Sequence, residues 1–197
     1  MKNFFSTATL AATALLSMAF SAPAHAIQFN GTTTAGASVG TDYSETGLIS
    51  FDLDLADLQS FRFDYTLTAG DLFSPLSFNG ILRNYTGTGL NDLSLTLGNG
   101  SFAFAGTVDR SFGGSSVVSL NGANAQVHFS SPEYLDTTLG NPLAQSGFVN
   151  WTIDTAGLRA GDALSVTVAT PVPEPGTLAM MLAGMGLLGW SARRARR

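Results

Sequence analysis

The residues able to do acid–base, nucleophilic or ligand chemistry are few, and their spacing decides which chemistries remain. The chain has no cysteine and two histidines, His25 near the start and His128 far from it. Without cysteine, a thiolate nucleophile, a disulfide framework and cysteine-ligated zinc are excluded. One internal histidine cannot build a histidine-rich zinc site, but it could serve as the base of a Ser-His-Asp triad. Its setting, Gln126-Val127-His128-Phe129, puts it on the polar face of a strand, and no Gly-x-Ser-x-Gly elbow accompanies it. Paired carboxylates for glycoside hydrolysis must come from Glu45, Glu133 and the aspartates, and nothing in the sequence pairs them. Asp52, Asp54 and Asp57 form the densest acidic group, and Asp52 and Asp54 share a strand face. They are the candidate calcium ligands, since calcium gathers roughly six to eight oxygens. Their spacing lacks the Asp-x-Asp-x-Asp-Gly of an EF-hand loop, and a solvated strand edge is the simpler reading.

Aromatic residues divide by their neighbours. Trp151 shares a face with Val149 and Ile153, and Tyr65 with Phe63 and Leu67, which assigns both to a core. Tyr85 and Tyr134 sit beside turns and are the candidates for stacking on a sugar ring. Asn30, Asn84, Asn99 and Asn150 each begin an Asn-x-Ser/Thr sequon, read here as incidental. These residues predict no enzyme and call for no cofactor.

The elements that must position these side chains are strands. Phe61, Phe63, Tyr65 and Leu67 alternate with Arg62, Asp64 and Thr66, so one side of that segment is buried and the other wet. The same period of two runs through Ile49, Phe51 and Leu53; Leu93, Leu95 and Leu97; Val149, Trp151 and Ile153; and Leu164, Val166 and Val168. Further strands are predicted at 76–85, 101–107, 116–120 and 125–130. Thr86-Gly87-Thr88-Gly89, Gly98-Asn99-Gly100, Gly113-Gly114 and Asn121-Gly122 mark turns between them. The pattern predicts an all-β fold: a single antiparallel β-sandwich domain, jelly-roll-like, over residues 27–170. One helical turn is expected at 53–58 and a long loop at 131–147, which contains Pro132 and Pro142.

Two flanking segments read as addresses. Residues 1–26 form a signal peptide: Lys2 supplies the positive start, 9–20 is apolar, and Ala24-His25-Ala26 offers signal peptidase small residues at Ala24 and Ala26. The domain between the flanks is acidic. It holds all but one of the 14 acidic residues, with Arg62, Arg83, Arg110 and Arg159 as its only basic ones. Such a surface repels nucleic acid, which is excluded as a partner.

The other flank, residues 171–197, contains Pro173-Glu174-Pro175, an apolar run at 178–190, and a basic end with Arg193, Arg194, Arg196 and Arg197. Two prolines around Glu174 keep the backbone extended and readable by an enzyme groove. As a helix the run reaches about 20 Å at 1.5 Å per residue, short of the ~30 Å hydrocarbon core unless Ser191 and Ala192 extend it to 178–192. The arginines after it serve as a membrane stop and fix the C-terminus in the cytoplasm.

Motif, helix and basic end, in this order at the terminus, closely resemble the PEP-CTERM sorting signal of Gram-negative bacteria. The resemblance covers 171–197 only. It implies recognition of Pro173, Glu174 and Pro175 by an exosortase, after export through signal peptidase and while the C-terminal helix holds the precursor in the inner membrane. It further implies a final place in the cell envelope, at the surface or in an extracellular matrix linked to exopolysaccharide. The resulting expectation is a non-enzymatic surface or matrix protein. A carbohydrate-binding module of a biofilm matrix is the alternative, and a small secreted hydrolase the remote one.

Overall fold

The computed structural model describes residues 26–171 and, beyond them, Met185. In chain order the strands are β1 (Gln28–Thr34), β2 (Val39–Asp42), β3 (Leu48–Leu55), β4 (Phe61–Thr66), β5 (Leu76–Asn84), β6 (Leu90–Leu97) and β7 (Ser101–Phe104). They continue with β8 (Val108–Arg110), β9 (Ser116–Asn121), β10 (Asn124–Glu133), β11 (Asp136–Leu139), β12 (Trp151–Asp154) and β13 (Ala163–Ala169). One sheet has the order β1-β4-β13-β6-β10-β9. The other runs β2-β3-β5-β11-β8, with β12 joining β5 to β7. The described residues are therefore all-β, in two sheets.

The period of two produces this arrangement. In β3, Ile49, Phe51, Leu53 and Leu55 are buried while Ser50, Asp52 and Asp54 face outward. In β4, Phe61, Phe63 and Tyr65 are buried and Arg62 is exposed. The apolar faces of the two sheets meet where Phe51 stacks on Phe63, with ring centroids 4.5 Å apart. Phe78, Phe102 and Trp151 pack edge to face a little further along, at 5.9 to 6.2 Å. Each such ring contributes roughly 1.5–3 kcal/mol by leaving water. Trp151 also satisfies its indole N–H, which donates to the Thr107 carbonyl at 3.1 Å. Gly80 lets Phe51 sit this close: a Cβ there would meet the Phe51 carbonyl at 2.9 Å and its ring at 3.0 Å.

Four expectations need correction. The arrangement is not purely antiparallel, because β3 and β5 are parallel neighbours. Between them the chain crosses to the other sheet as β4, so β5 returns running the same way as β3. No helical turn forms at 53–58, since the alternating apolar residues keep β3 extended through Leu55. A 3₁₀ turn lies instead at Ala69–Leu72, where the buried Asp71 accepts from the backbone N–H groups of Thr68 and Gly47 at 2.8 and 2.9 Å. The segment 131–147 is not one loop. β10 continues through Pro132, which falls in the register shift between His128 and Glu133, where no ladder partner needs its missing N–H. β11 then follows within the same segment. Finally, Val149 is outside the core at 53 % exposure. β12 begins only at Trp151, and the Val149 backbone is held by Thr107 at 2.9 Å through both its N–H and its carbonyl.

A buried ion pair fastens the end of β10. Arg110 Nε lies 3.2 Å from Glu133 Oε2, with side-chain exposures of 2 % and 0 %. The rest of the guanidinium donates to the carbonyls of Ser115 and Ser131 at 3.0 and 2.7 Å. Glu133 also accepts from the N–H groups of Phe112 and Leu135, at 3.2 and 2.8 Å. Arg110 closes over the Phe129 ring, 4.9 Å from its centroid.

No helix among the described residues is long and apolar enough to cross a membrane. The expected signal-peptide helix within 1–26 and the expected membrane helix at 178–192 lie outside the described residues, apart from Ala26 and Met185.

Candidate functional site

The outer face of the second sheet carries a groove of about 540 Å³. Its floor follows from burial on the opposite face. With Ile49, Phe51 and Leu53 turned inward, Ser50 and Asp52 of β3 must point out, as must Asn79, Ile81 and Arg83 of β5. The parallel register sets Ser50 beside Asn79 and Asp52 beside Ile81, so the two polar rows form one surface. Tyr43 and Glu45, just after β2, line it as well. The segment after β11, residues 141–144, supplies the remaining wall together with Asn150.

That wall is held by asparagines. Gly140 takes φ of +69°, and a Cβ there would come within 2.8 Å of Asn79 Cβ, so glycine alone lets the chain turn down over the floor. Asn150 Oδ1 accepts from Asn141 N–H at 2.7 Å and from Asn79 Nδ2 at 3.1 Å. Asn141 in turn accepts from Gln145 N–H at 2.6 Å and donates to the carbonyls of Gln145 and Phe148 at 3.0 and 3.2 Å. Within this clamp Ala144 is held at φ of +52°, a left-handed conformation costing about 1 kcal/mol.

Asn79 is 3 % exposed, and its Oδ1 has no hydrogen-bond partner among the described residues. A buried acceptor left this way costs about 1–3 kcal/mol. Near it Arg83 donates to Asp52 at 2.6 Å and to Asp54 at 3.0 Å. Those bonds, Asp52 first and Asp54 second, hold the guanidinium pKa above its already high ordinary value.

The residues singled out from sequence fall in several places. Asp52 and Asp54 are not at a sheet edge: β3 lies between β2 and β5, and Arg83 engages both. Asp57 is committed elsewhere, accepting from the N–H groups of Ala37 and Gln59, which in that order lower its pKa. The three aspartates thus do not converge on a cation. Among the described residues no group of three or more acidic or histidine side chains is placed to hold a metal. His128 lies exposed on the outer face of the first sheet with Nδ1 2.8 Å from Asp92 Oδ1. Its ladder neighbours are Asp92 and Val117, neither of them a nucleophile. Tyr85 is 64 % exposed. Tyr134 packs edge-on against the exposed Phe112 at 5.3 Å, and neither tyrosine lines the groove. All four sequon asparagines are bound within the fold: Asn30, Asn84 and Asn99 donate through Nδ2, to Thr66 Oγ1, to the carbonyls of Thr88 and Glu133, and to the Ala163 carbonyl, while Asn150 accepts through Oδ1. Ala26 is exposed at the start of the described chain, whereas Ala24, Pro173, Glu174, Pro175, Arg193, Arg194, Arg196 and Arg197 lie outside the described residues.

Asn79 and Asn141 escape the sequence reading, which marks Tyr43 only as one of the tyrosines able to stack on a sugar, Arg83 only as a basic residue and Asn150 only as a sequon. A signal existed for one of them. Asn79 interrupts the apolar stretch from Leu76 to Leu82, where an amide must find a partner or a purpose.

The described residues form an all-β protein in two sheets, followed by a tail that carries a sorting signal. The signal is specific: residues 171–197 match the PEP-CTERM protein-sorting motif. A tail of this kind marks a secreted protein that an exosortase sorts to the envelope or surface. No curated protein and no solved structure matches the chain.

Proposed function

We propose that this chain is a non-enzymatic surface or matrix protein. A jelly-roll-like β-sandwich is exported with loss of residues 1–26 and held in the inner membrane by 178–192. It is then released to an exosortase at Pro173, Glu174 and Pro175. Its final place is the cell surface or an exopolysaccharide matrix. The observation that carries this reading is the sorting-motif match at 171–197. The domain's own chemistry supports a role without catalysis, since Glu133 is locked to Arg110 and His128 faces a carboxylate on an open sheet.

The test is intact mass and cell fraction of the exported protein, with and without Pro173→Ala and Pro175→Ala together. The wild type is expected to lack both residues 1–26 and the basic tail, and the variant to keep its tail and stay with the membrane. An unprocessed C-terminus in both proteins would overturn the sorting reading and leave an ordinary anchor.

The second reading, a carbohydrate-binding module of the matrix, is favoured by one observation: a largely polar groove on an open sheet face, with the exposed Tyr43 ring on its lining.

A further inference from the structure

We propose that β9 is a docking edge for a second copy of this chain, with the two β9 strands paired antiparallel about a two-fold axis at Val118. The proposal concerns the domain's own surface and stands apart from the sorting reading of the tail.

A strand at the end of a sheet has one unpaired side, and folds ordinarily blunt it by short length, charge or a bulge. Among the described residues the second sheet follows this rule. Its end strands β2 and β8 have four and three residues and carry Asp42 and Asp109, and β7, on its side branch, has four. In the first sheet β1 is interrupted by a bulge between Phe29 and Gly31. β9 has none of these protections. Ser116–Asn121 keeps unbroken register with β10, and from Ser111 to Val127 the chain carries no charged residue and no proline. An acidic domain repels its own copy, and a charge-free edge lifts that repulsion where the strands meet.

The occupant follows from the core and from the backbone. On β10, Ala125, Val127 and Phe129 are buried, whereas their β9 partners Leu120, Val118 and Ser116 are only half-buried. The apolar layer is thus left open along β9, and a neighbouring strand continues it only by presenting apolar side chains. Backbone direction sets the register. Ser130 N–H donates to the Ser115 carbonyl at 3.0 Å, so Ser115, Val117 and Ser119 turn their peptide groups toward β10, and Ser116, Val118 and Leu120 turn theirs away. Pairing about Val118 sets it beside the second copy's Val118, and Ser116 beside the second copy's Leu120. Every outward N–H then meets an outward carbonyl, and on the inner side the valines and leucines of both copies extend the core. A two-fold interface must be self-complementary in this way. The turn after β9 is tied to the second sheet, with Phe102 N–H donating to the Gly122 carbonyl at 2.9 Å, and lies beyond the paired stretch.

On the outer side the same register sets Val117, 67 % exposed, opposite the second copy's Ser119. The experiment is sedimentation equilibrium of the full chain in a density-matched detergent, at concentrations up to about 100 µM. A dimer is expected. Val117→Glu together with Ser119→Glu sets like charges opposite each other and should raise the dissociation constant at least about tenfold. Val117→Lys together with Ser119→Glu sets opposite charges there and should restore the dimer. Both positions are exposed, so neither double variant should unfold the domain, and urea midpoints close to the wild type check this. A dimer that ignores both double variants overturns the edge and places association elsewhere, such as in the tail. Equal loss in both overturns the register. A chain that stays monomeric overturns the interface, and assemblies beyond a dimer overturn its two-fold closure.

Discussion

Arg110 and Arg83 each hold carboxylates, yet they do opposite work. Arg110 is sealed with Glu133 at the end of β10, and the pair is surrounded by backbone donors and acceptors. Arg83 bridges Asp52 and Asp54 on an open sheet face, with side-chain exposures of 30, 20 and 45 %. In the first, water cannot replace a lost partner, so the ions are bound to each other and to the fold. In the second, water screens every charge, so the triad contributes little stability. Burial separates an ion pair locked into the fold from one screened by solvent, although both use the same residue types.

The largest effect should come from breaking the buried pair. Glu133→Ala is expected to lose about 3–5 kcal/mol in urea unfolding, because it strands the Arg110 charge. Arg110→Met with Glu133→Leu should recover most of that loss, since apolar side chains of similar volume need no partner. A double variant as unstable as the single one would mean that the ion pair itself, not the removal of a stranded charge, secures β10.

Tyr65 lies between the two cases and tests them by pH. It is buried and donates to Asp42 Oδ1 at 3.2 Å. Burial first, then the nearby Asp42 charge, hold its pKa well above the ordinary tyrosine value. The sign follows from the unfolded chain, where the phenol ionises near pH 10. Stability from this group is full below that pH and is lost as pH rises from there toward the raised folded value. Tyr65→Phe is expected to lose about 1 kcal/mol near neutrality. Above about pH 10 its urea midpoint should fall less steeply than that of the wild type, and parallel curves would remove Tyr65 from the alkaline response.

The smallest stability change is expected at the open triad. Arg83→Leu should alter stability by less than about 1 kcal/mol, less still in high salt. A loss as large as that of Glu133→Ala would erase the contrast between the two arginines.

How far the sequence reveals the fold depends on the range over which each interaction acts. Alternation is a local property, so the inward row Phe61, Phe63 and Tyr65 was legible, as was the burial of Trp151 and Ile153. The groove required knowing that β3 and β5 are parallel neighbours across an intervening strand, and no local pattern records that pairing. The same holds for Arg110 and Glu133, which meet across 23 residues, and for the Asn79–Asn150 contact across 71. Asp52 and Asp54 were legible as an acidic face, but their partner Arg83 was not, and without it they read as a solvated strand edge. Val149 misled for the opposite reason: it keeps the period of Trp151 and Ile153, but the ladder starts two residues after it.

The place of β13 has a mechanical consequence. Only Thr170 separates Ala169, its last residue, from the tail, and β13 lies inside its sheet, hydrogen-bonded to β4 on one side and β6 on the other. Tension carried by the tail therefore enters at the end of an interior strand. Ladder bonds stand across the strand axis, so a pull along that axis shears both ladders at once and does not peel them rung by rung. Resistance to such a pull is set by the unfolding rate and not by equilibrium stability. A terminal strand at an edge would load a single ladder; this one spreads the load over two neighbours.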